Sequence, residues 1–99
     1  MLSPMGHKEE IIESTLKTIT TNSNGNIVLN ANFGINGNNH ILLDVFINDV
    51  NESSIYGFLN YNNYLNGQLY YGIRVITATG TPQAVANTDV KVKILYKNR

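Results

Sequence analysis

The 99-residue chain contains no cysteine, which excludes disulfide staples and thiolate-held metals. Tryptophan is absent as well, and there are only 2 prolines. Charge is scarce, with 14% of residues ionisable as Asp, Glu, Lys or Arg, and the seven basic and seven acidic side chains cancel. The single-signed field that a nucleic-acid binder or an anionic-membrane binder requires is therefore missing. No apolar run approaches the roughly 20 residues of a membrane-spanning helix, so membrane insertion is not expected. A secretory signal, with its basic start and continuous apolar stretch, is missing from the opening residues. What is present is a 42% hydrophobic share, too high for a disordered chain, in a length suited to one domain. A domain of this size buries about two-thirds of the surface of its unfolded chain, so its core is modest and self-association would add stability.

Sixteen residues are Asn. Asn tolerates positive φ and hydrogen-bonds its own backbone in turns, which predicts many tight connections. Residues 1–14 read as a separate leader or stalk end. Leu2, Met5, Ile12, Leu16 and Ile19 follow a faint heptad with Glu9 at the missing seam position, so Ile12, Leu16 and Ile19 are expected to bundle about an oligomer axis as a short helical segment.

From Thr15 onwards the period becomes two, bounded by Asn and Gly clusters, and residues 15–99 are predicted to form the domain proper. Strands are expected over 16–21, 27–31, 40–48, 54–60, 68–77 and 88–96. Asn24-Gly25 predicts a hairpin between the first two. Residues 32–39 read as a loop, 49–53 as a turn and 61–67 as a Tyr/Asn-rich connection. Six short strands with polar turns predict an all-β fold, a small antiparallel β-sandwich or barrel of jelly-roll-like form.

The last strand alternates Val90, Val92, Ile94 and Tyr96 with Lys91, Lys93, Leu95 and Lys97, giving one buried and one solvated face. In the strand over 40–48, Ile41, Leu43, Val45 and Ile47 make one apolar row, yet Leu42 and Phe46 lie on the other. The strand over 68–77 likewise places Tyr70 and Ile76 opposite Leu69, Tyr71, Ile73 and Val75. A chain this short has little protein to cover both faces, so Leu42, Phe46, Tyr70 and Ile76 are expected at a subunit interface.

Catalytic chemistry has little to stand on. A nucleophile needs a positioned base, and the only histidines are His7 and His40, neither with an adjacent group to orient it. Asp49, Asn51 and Glu52 share one turn but lack the Gly and the distant bidentate acid of a calcium loop, so the turn reads as solvated, with weak Ca²⁺ binding as the alternative. The carboxylates Asp44, Asp49, Glu52 and Asp89 show no glycosidase-like pairing. No enzyme activity, cofactor or metal is expected.

Binding chemistry concentrates between residues 56 and 71, which hold five of the six tyrosines interleaved with amides. A tyrosine ring offers an apolar face and a hydroxyl, and Asn supplies donors and acceptors together, the combination that polyhydroxylated ligands require. Tyr61 and Tyr64 are therefore candidate saccharide platforms, with Asn60, Asn62, Asn63 and Asn66 reading hydroxyl groups from the same loop.

The segments Thr20-Thr21-Asn22-Ser23-Asn24-Gly25-Asn26-Ile27-Val28-Leu29 and Thr79-Gly80-Thr81-Pro82-Gln83-Ala84-Val85-Ala86-Asn87-Thr88-Asp89-Val90-Lys91-Val92-Lys93-Ile94-Leu95-Tyr96 resemble C-terminal head domains of bacteriophage tail-fibre and baseplate proteins from phages of low-GC Gram-positive hosts. The similarity spans roughly residues 15–99. It implies a β-sandwich head, a homotrimer on a fibre or coiled-coil shaft in a virion tail or encoded by a prophage, which contacts other virion or baseplate proteins and attaches to host cell-surface saccharide. A non-catalytic structural module of a virion and a bacterial carbohydrate-binding or adhesion module are the alternatives that the same residues leave open.

Overall fold

The computed structural model describes residues 10–48 and 56–99. Its elements are β1 (Ile12–Glu13), β2 (Lys17–Thr20), β3 (Asn26–Val28), a one-turn helix α1 (Leu29–Phe33), β4 (His40–Asn48), β5 (Tyr56–Leu65), β6 (Gln68–Thr77) and β7 (Asp89–Asn98). They form two antiparallel sheets. In the first, β7 is central, with β4 along one side and β1 and β2 end to end along the other. In the second, β6 lies between β3 and β5. The all-β sandwich expected from the alternating patterns is therefore the observed architecture, and neither sheet closes into a barrel.

The core lies between the two central strands. Val90, Val92 and Ile94 of β7 and Tyr71, Ile73 and Val75 of β6 are buried, together with Ile19, Ile27, Leu29, Ile35, Val45 and Val85. Each fully buried aliphatic chain of this kind stabilises the fold by about 1.5–3 kcal/mol.

Several local expectations are corrected. The heptad reading of residues 12–19 fails because both ends of this segment pair with β7. Ile12 sits opposite Tyr96, and Ile19 is buried opposite Val90, while Leu16 lies exposed at the break between β1 and β2. At that break the Ser14 N–H donates to the Ile94 carbonyl (3.0 Å) and the Ile94 N–H donates to Ser14 Oγ (2.9 Å), so the ladder continues through a side chain. The sheet thus begins ahead of Thr15. The remainder of the leader, residues 1–9, lies outside the described residues, as do the Asp49, Asn51 and Glu52 turn and the expected strand start at 54–55.

The Asn24-Gly25 turn is real, with Gly25 at φ 79° and the Asn22 side chain accepting from the N–H groups of Asn24 and Asn26. It does not close a hairpin. β2 belongs to the first sheet and β3 to the second, so residues 22–25 carry the chain across the sandwich. Buried Thr21 anchors this crossing by donating its hydroxyl to the Val85 carbonyl (2.6 Å) and accepting from the Thr88 N–H (3.0 Å).

The strand expected over 27–31 stops at Val28. Beyond it the side chain of buried Asn30 takes over the pairing with β6: Oδ1 accepts from the Tyr71 N–H (2.8 Å) and Nδ2 donates to the Leu69 carbonyl (3.2 Å). The backbone is thereby released to coil as α1, which ends at Gly34 in the left-handed region (φ 66°), where glycine carries no Cβ penalty. Lys17 closes the adjoining rim, its Nζ donating to the Asn32 carbonyl and lying 5.7 Å from the Phe33 ring centroid.

In β4 the register against β7 shifts between Leu42 and Asp44. The extra residue changes the phase of the strand. Leu42 therefore packs against the core instead of facing out as an interface residue, and Leu43 is exposed. Phe46 stays on the outer side, at the edge of exposure, with Lys93 Nζ 5.1 Å from its ring centroid.

Candidate functional site

Residues 61–65, expected in a loop, continue β5. The turn is the two-residue Asn66-Gly67, with φ 53° and 79°, values that fit a primed hairpin turn. Asn66 thus occupies a position that its backbone conformation selects. Alternation on a strand then separates the expected ligand residues. Tyr61 and Asn63 project from the outer face of the second sheet, whereas Asn60, Asn62 and Tyr64 share the row of Ile73, Tyr71 and Leu69. Tyr64 lies near the hairpin tip at 73% exposure, and the two tyrosines do not form one platform. Asn60 and Asn62 instead border a hollow of about 160 Å³ between the sheets, with Leu42, Asp44 and Val45 opposite.

The outer face around Tyr61 has a definite relief. Tyr61 pairs with Gly72, and its ring lies across that glycine: a Cβ there would meet Tyr61 Cζ at 2.4 Å. The missing side chain is the seat of the ring, an aromatic covering of a strand glycine. On one side of Tyr61 is a hollow of about 340 Å³ lined by Asn26, Leu59, Asn60 and Arg74. On the other is one of about 310 Å³ lined by Val28, Asn63, Leu65 and Tyr70. Tyr61 borders both and remains 36% exposed.

Polar groups frame this apolar floor. Arg74 Nε donates to Asn26 Oδ1 (3.3 Å), which holds the guanidinium against the sheet, and the Tyr70 hydroxyl donates to Gln68 Oε1 (3.2 Å). Arg74 is the single charged residue in the sequence between Tyr56 and Thr88. No ion pair to it occurs among the described residues. Asn26, Leu59, Leu65 and Arg74 are neighbours of Tyr61 that a loop over 61–67 does not predict; the local signal for them is the Asn66-Gly67 dipeptide, which extends β5 and sets Tyr61 beside them. Tyr70 and Ile76, expected at a subunit interface, are half-buried on this same face, Ile76 bridging to Ala84.

His40 has a structural place. Its Nδ1 accepts from the Asn36 N–H (3.1 Å), and its ring meets Tyr96 edge-on with centroids 5.4 Å apart. Among the described residues no three His, Asp or Glu side chains gather into a potential metal site, and no helix is long and apolar enough to cross a membrane. No family model, curated protein or solved structure matches the chain.

Proposed function

We propose that the chain is a non-catalytic recognition module that takes a host cell-surface saccharide on the outer face of the β3-β6-β5 sheet, in the virion-attachment role that the resemblance to phage tail-fibre heads implies. The observation that carries this reading is the Tyr61 ring seated over Gly72 between two open hollows. A sugar ring has an apolar C–H face and a rim of hydroxyls. The first suits the Tyr61 ring and the Leu59 and Leu65 side chains; the second suits the amides of Asn26 and Asn63 and the Tyr70 hydroxyl. Arg74, without an acidic partner among the described residues, favours a saccharide that carries a carboxylate or phosphate, since a guanidinium recognises such groups through paired hydrogen bonds. A sugar buries little apolar area and displaces bound water, so affinity per site is low and attachment depends on several sites acting together.

The test is retention of the protein on a glycan array that includes neutral, uronic-acid and phosphate-bearing wall polysaccharides. The parent and Tyr64→Ala are expected to bind alike, and Tyr61→Ala to lose at least tenfold in affinity while remaining folded by circular dichroism. Equal binding by a folded Tyr61→Ala variant, or no retention of the parent on any glycan, overturns the proposal.

A further inference from the structure

The edges of the two sheets are finished differently. The β1 and β2 edge is short, broken at Ser14 and flanked by Glu13 and Lys17. β4 carries a register shift and Asp44. β3 is three residues long, and its line along β6 is continued by Asn30 on one end and by residues 83–85 on the other. Each of these devices discourages a further strand from pairing. β5 has none of them. It runs ten residues, Tyr56–Leu65, in unbroken register with β6, and contains no charged residue and no proline.

Which backbone groups β5 leaves free follows from the hydrogen bonds of β6. The odd-numbered residues of β6 bond away from β5: the Val75 N–H donates to the Gly25 carbonyl, the Thr77 N–H to the Gln83 carbonyl, and the Leu69 carbonyl accepts from the Gly37 N–H. Even-numbered residues of β6 therefore bond across the hairpin. Their partners are the odd-numbered residues Gly57, Leu59, Tyr61, Asn63 and Leu65. The N–H and C=O groups of Phe58, Asn60, Asn62 and Tyr64 then point outward along the free edge, and no bond to them occurs among the described residues.

We infer that β5 pairs antiparallel with β5 of a second copy of this chain about a two-fold axis, joining two three-stranded sheets into one of six strands. The second copy is the occupant because an uncharged strand meets no like charge when it faces itself, whereas an acidic or basic peptide would find no counter-charge on this edge. The pairing is isologous: each even-numbered residue meets an even-numbered residue of its partner, so the outer faces are continuous and two Tyr61 sites lie on one surface. This is a dimer, distinct from the trimer that the family resemblance implies, and it does not depend on what the Tyr61 face binds.

Amide hydrogen exchange on the unmodified protein reads the inference residue by residue. The amides of Leu59, Tyr61 and Asn63 are expected to be protected at every concentration. Those of Phe58, Asn60 and Asn62 should gain at least tenfold protection between about 5 and 500 µM, as light scattering shows the mass doubling. Asn60→Pro removes an outward N–H and spares the hairpin ladder, so it should give a folded monomer. Rapid exchange of the even-numbered amides at all concentrations, a monomeric or trimeric parent, or a folded Asn60→Pro protein that still dimerises overturns the inference; if Asn60→Pro unfolds, the exchange pattern of the parent decides alone.

Discussion

The strands of the first sheet carry Glu13, Lys17, Asp44, Asp89, Lys91, Lys93 and Lys97, whereas those of the second carry Arg74 alone, although both sheets bury aliphatic rows of the same kind. The charges of the first sheet lie where alternation turns side chains to water, as in the Lys93 Nζ to Glu13 Oε2 ion pair at 2.9 Å, or where a lysine stem covers the sandwich rim, as at Lys17. The second sheet meets solvent with Val28, Leu59, Tyr61, Leu65, Tyr70 and amides instead. Exposed apolar residues gathered on one face, unlike ones scattered singly, are the kind of surface that marks interaction sites. The contrast supports the proposed placement of recognition on the second sheet, whose strands carry the single charge of Arg74, beside the charge-rich strands of the first.

The contrast extends to how each sheet repairs an interrupted ladder. In the second sheet buried Asn30 supplies both a donor and an acceptor to β6; in the first, half-buried Ser14 supplies an acceptor to Ile94. Removing the Asn30 amide leaves the Tyr71 N–H without its partner, and a buried unpaired group costs about 1–3 kcal/mol. Asn30→Ala should therefore lower unfolding free energy by about 2–4 kcal/mol, and Ser14→Ala by about 1 kcal/mol because water can reach its edge position. Urea denaturation measures both. Equal losses would erase this difference between the sheets.

These repairs also mark where the sequence stops being informative. The runs over 40–48 and 68–77 are legible as strands because period-two burial is a local pattern, and the observed bounds match them. The function of the Asn24-Gly25 turn is not local: β2 chooses β7 and β3 chooses β6, so a turn signal that ordinarily closes a hairpin here changes sheets. Nothing around Leu43 announces a register shift, yet one extra residue carries Leu42 into the core and reverses the expected faces of that end of β4. Asn30 reads as one more polar strand residue until its side chain is seen standing in for backbone. For the candidate site, Tyr61 is legible as an exposed ring among amides. Its neighbours are not, since a loop has no faces, and only a continuous β5 places Leu59, Arg74 and Asn26 in its company.

The seat of the Tyr61 ring supplies the next comparison. Gly72→Ala places a methyl group 2.4 Å from Tyr61 Cζ, so the ring must lift from the sheet. The displaced atoms belong to the far end of a side chain, and replacing a strand glycine recovers about 0.5–1 kcal/mol of backbone entropy. Unfolding free energy should consequently change by less than about 1 kcal/mol. The tyrosine near-ultraviolet dichroism and the ring proton shifts of Tyr61 should nonetheless move, and saccharide retention should fall as it does for Tyr61→Ala. A variant with unchanged ring shifts would show that the ring does not depend on this glycine, and the recognition face would lose its organising feature.

The charged exterior gives the last comparison. Lys93 lies between Glu13 on β1 and the Phe46 ring on β4, and so ties both neighbours of β7 to the central strand. Its side chain is 30% exposed and that of Glu13 60%, so water and salt screen the pair, and such contacts contribute about 0.2–1 kcal/mol. The ring contact adds about 0.5–1 kcal/mol at a partly exposed site. Lys93→Gln should lower unfolding free energy by about 1 kcal/mol at low ionic strength, and part of that difference should shrink in molar salt as the ion pair is screened. The salt-dependent part belongs to Glu13 and the residue to Phe46, which Glu13→Gln separates by removing only the former. Leu59→Asn on the second sheet has no such partner and should show no salt dependence at all; matching salt dependence in the two variants would mean that the division of charge between the sheets does not govern their energetics.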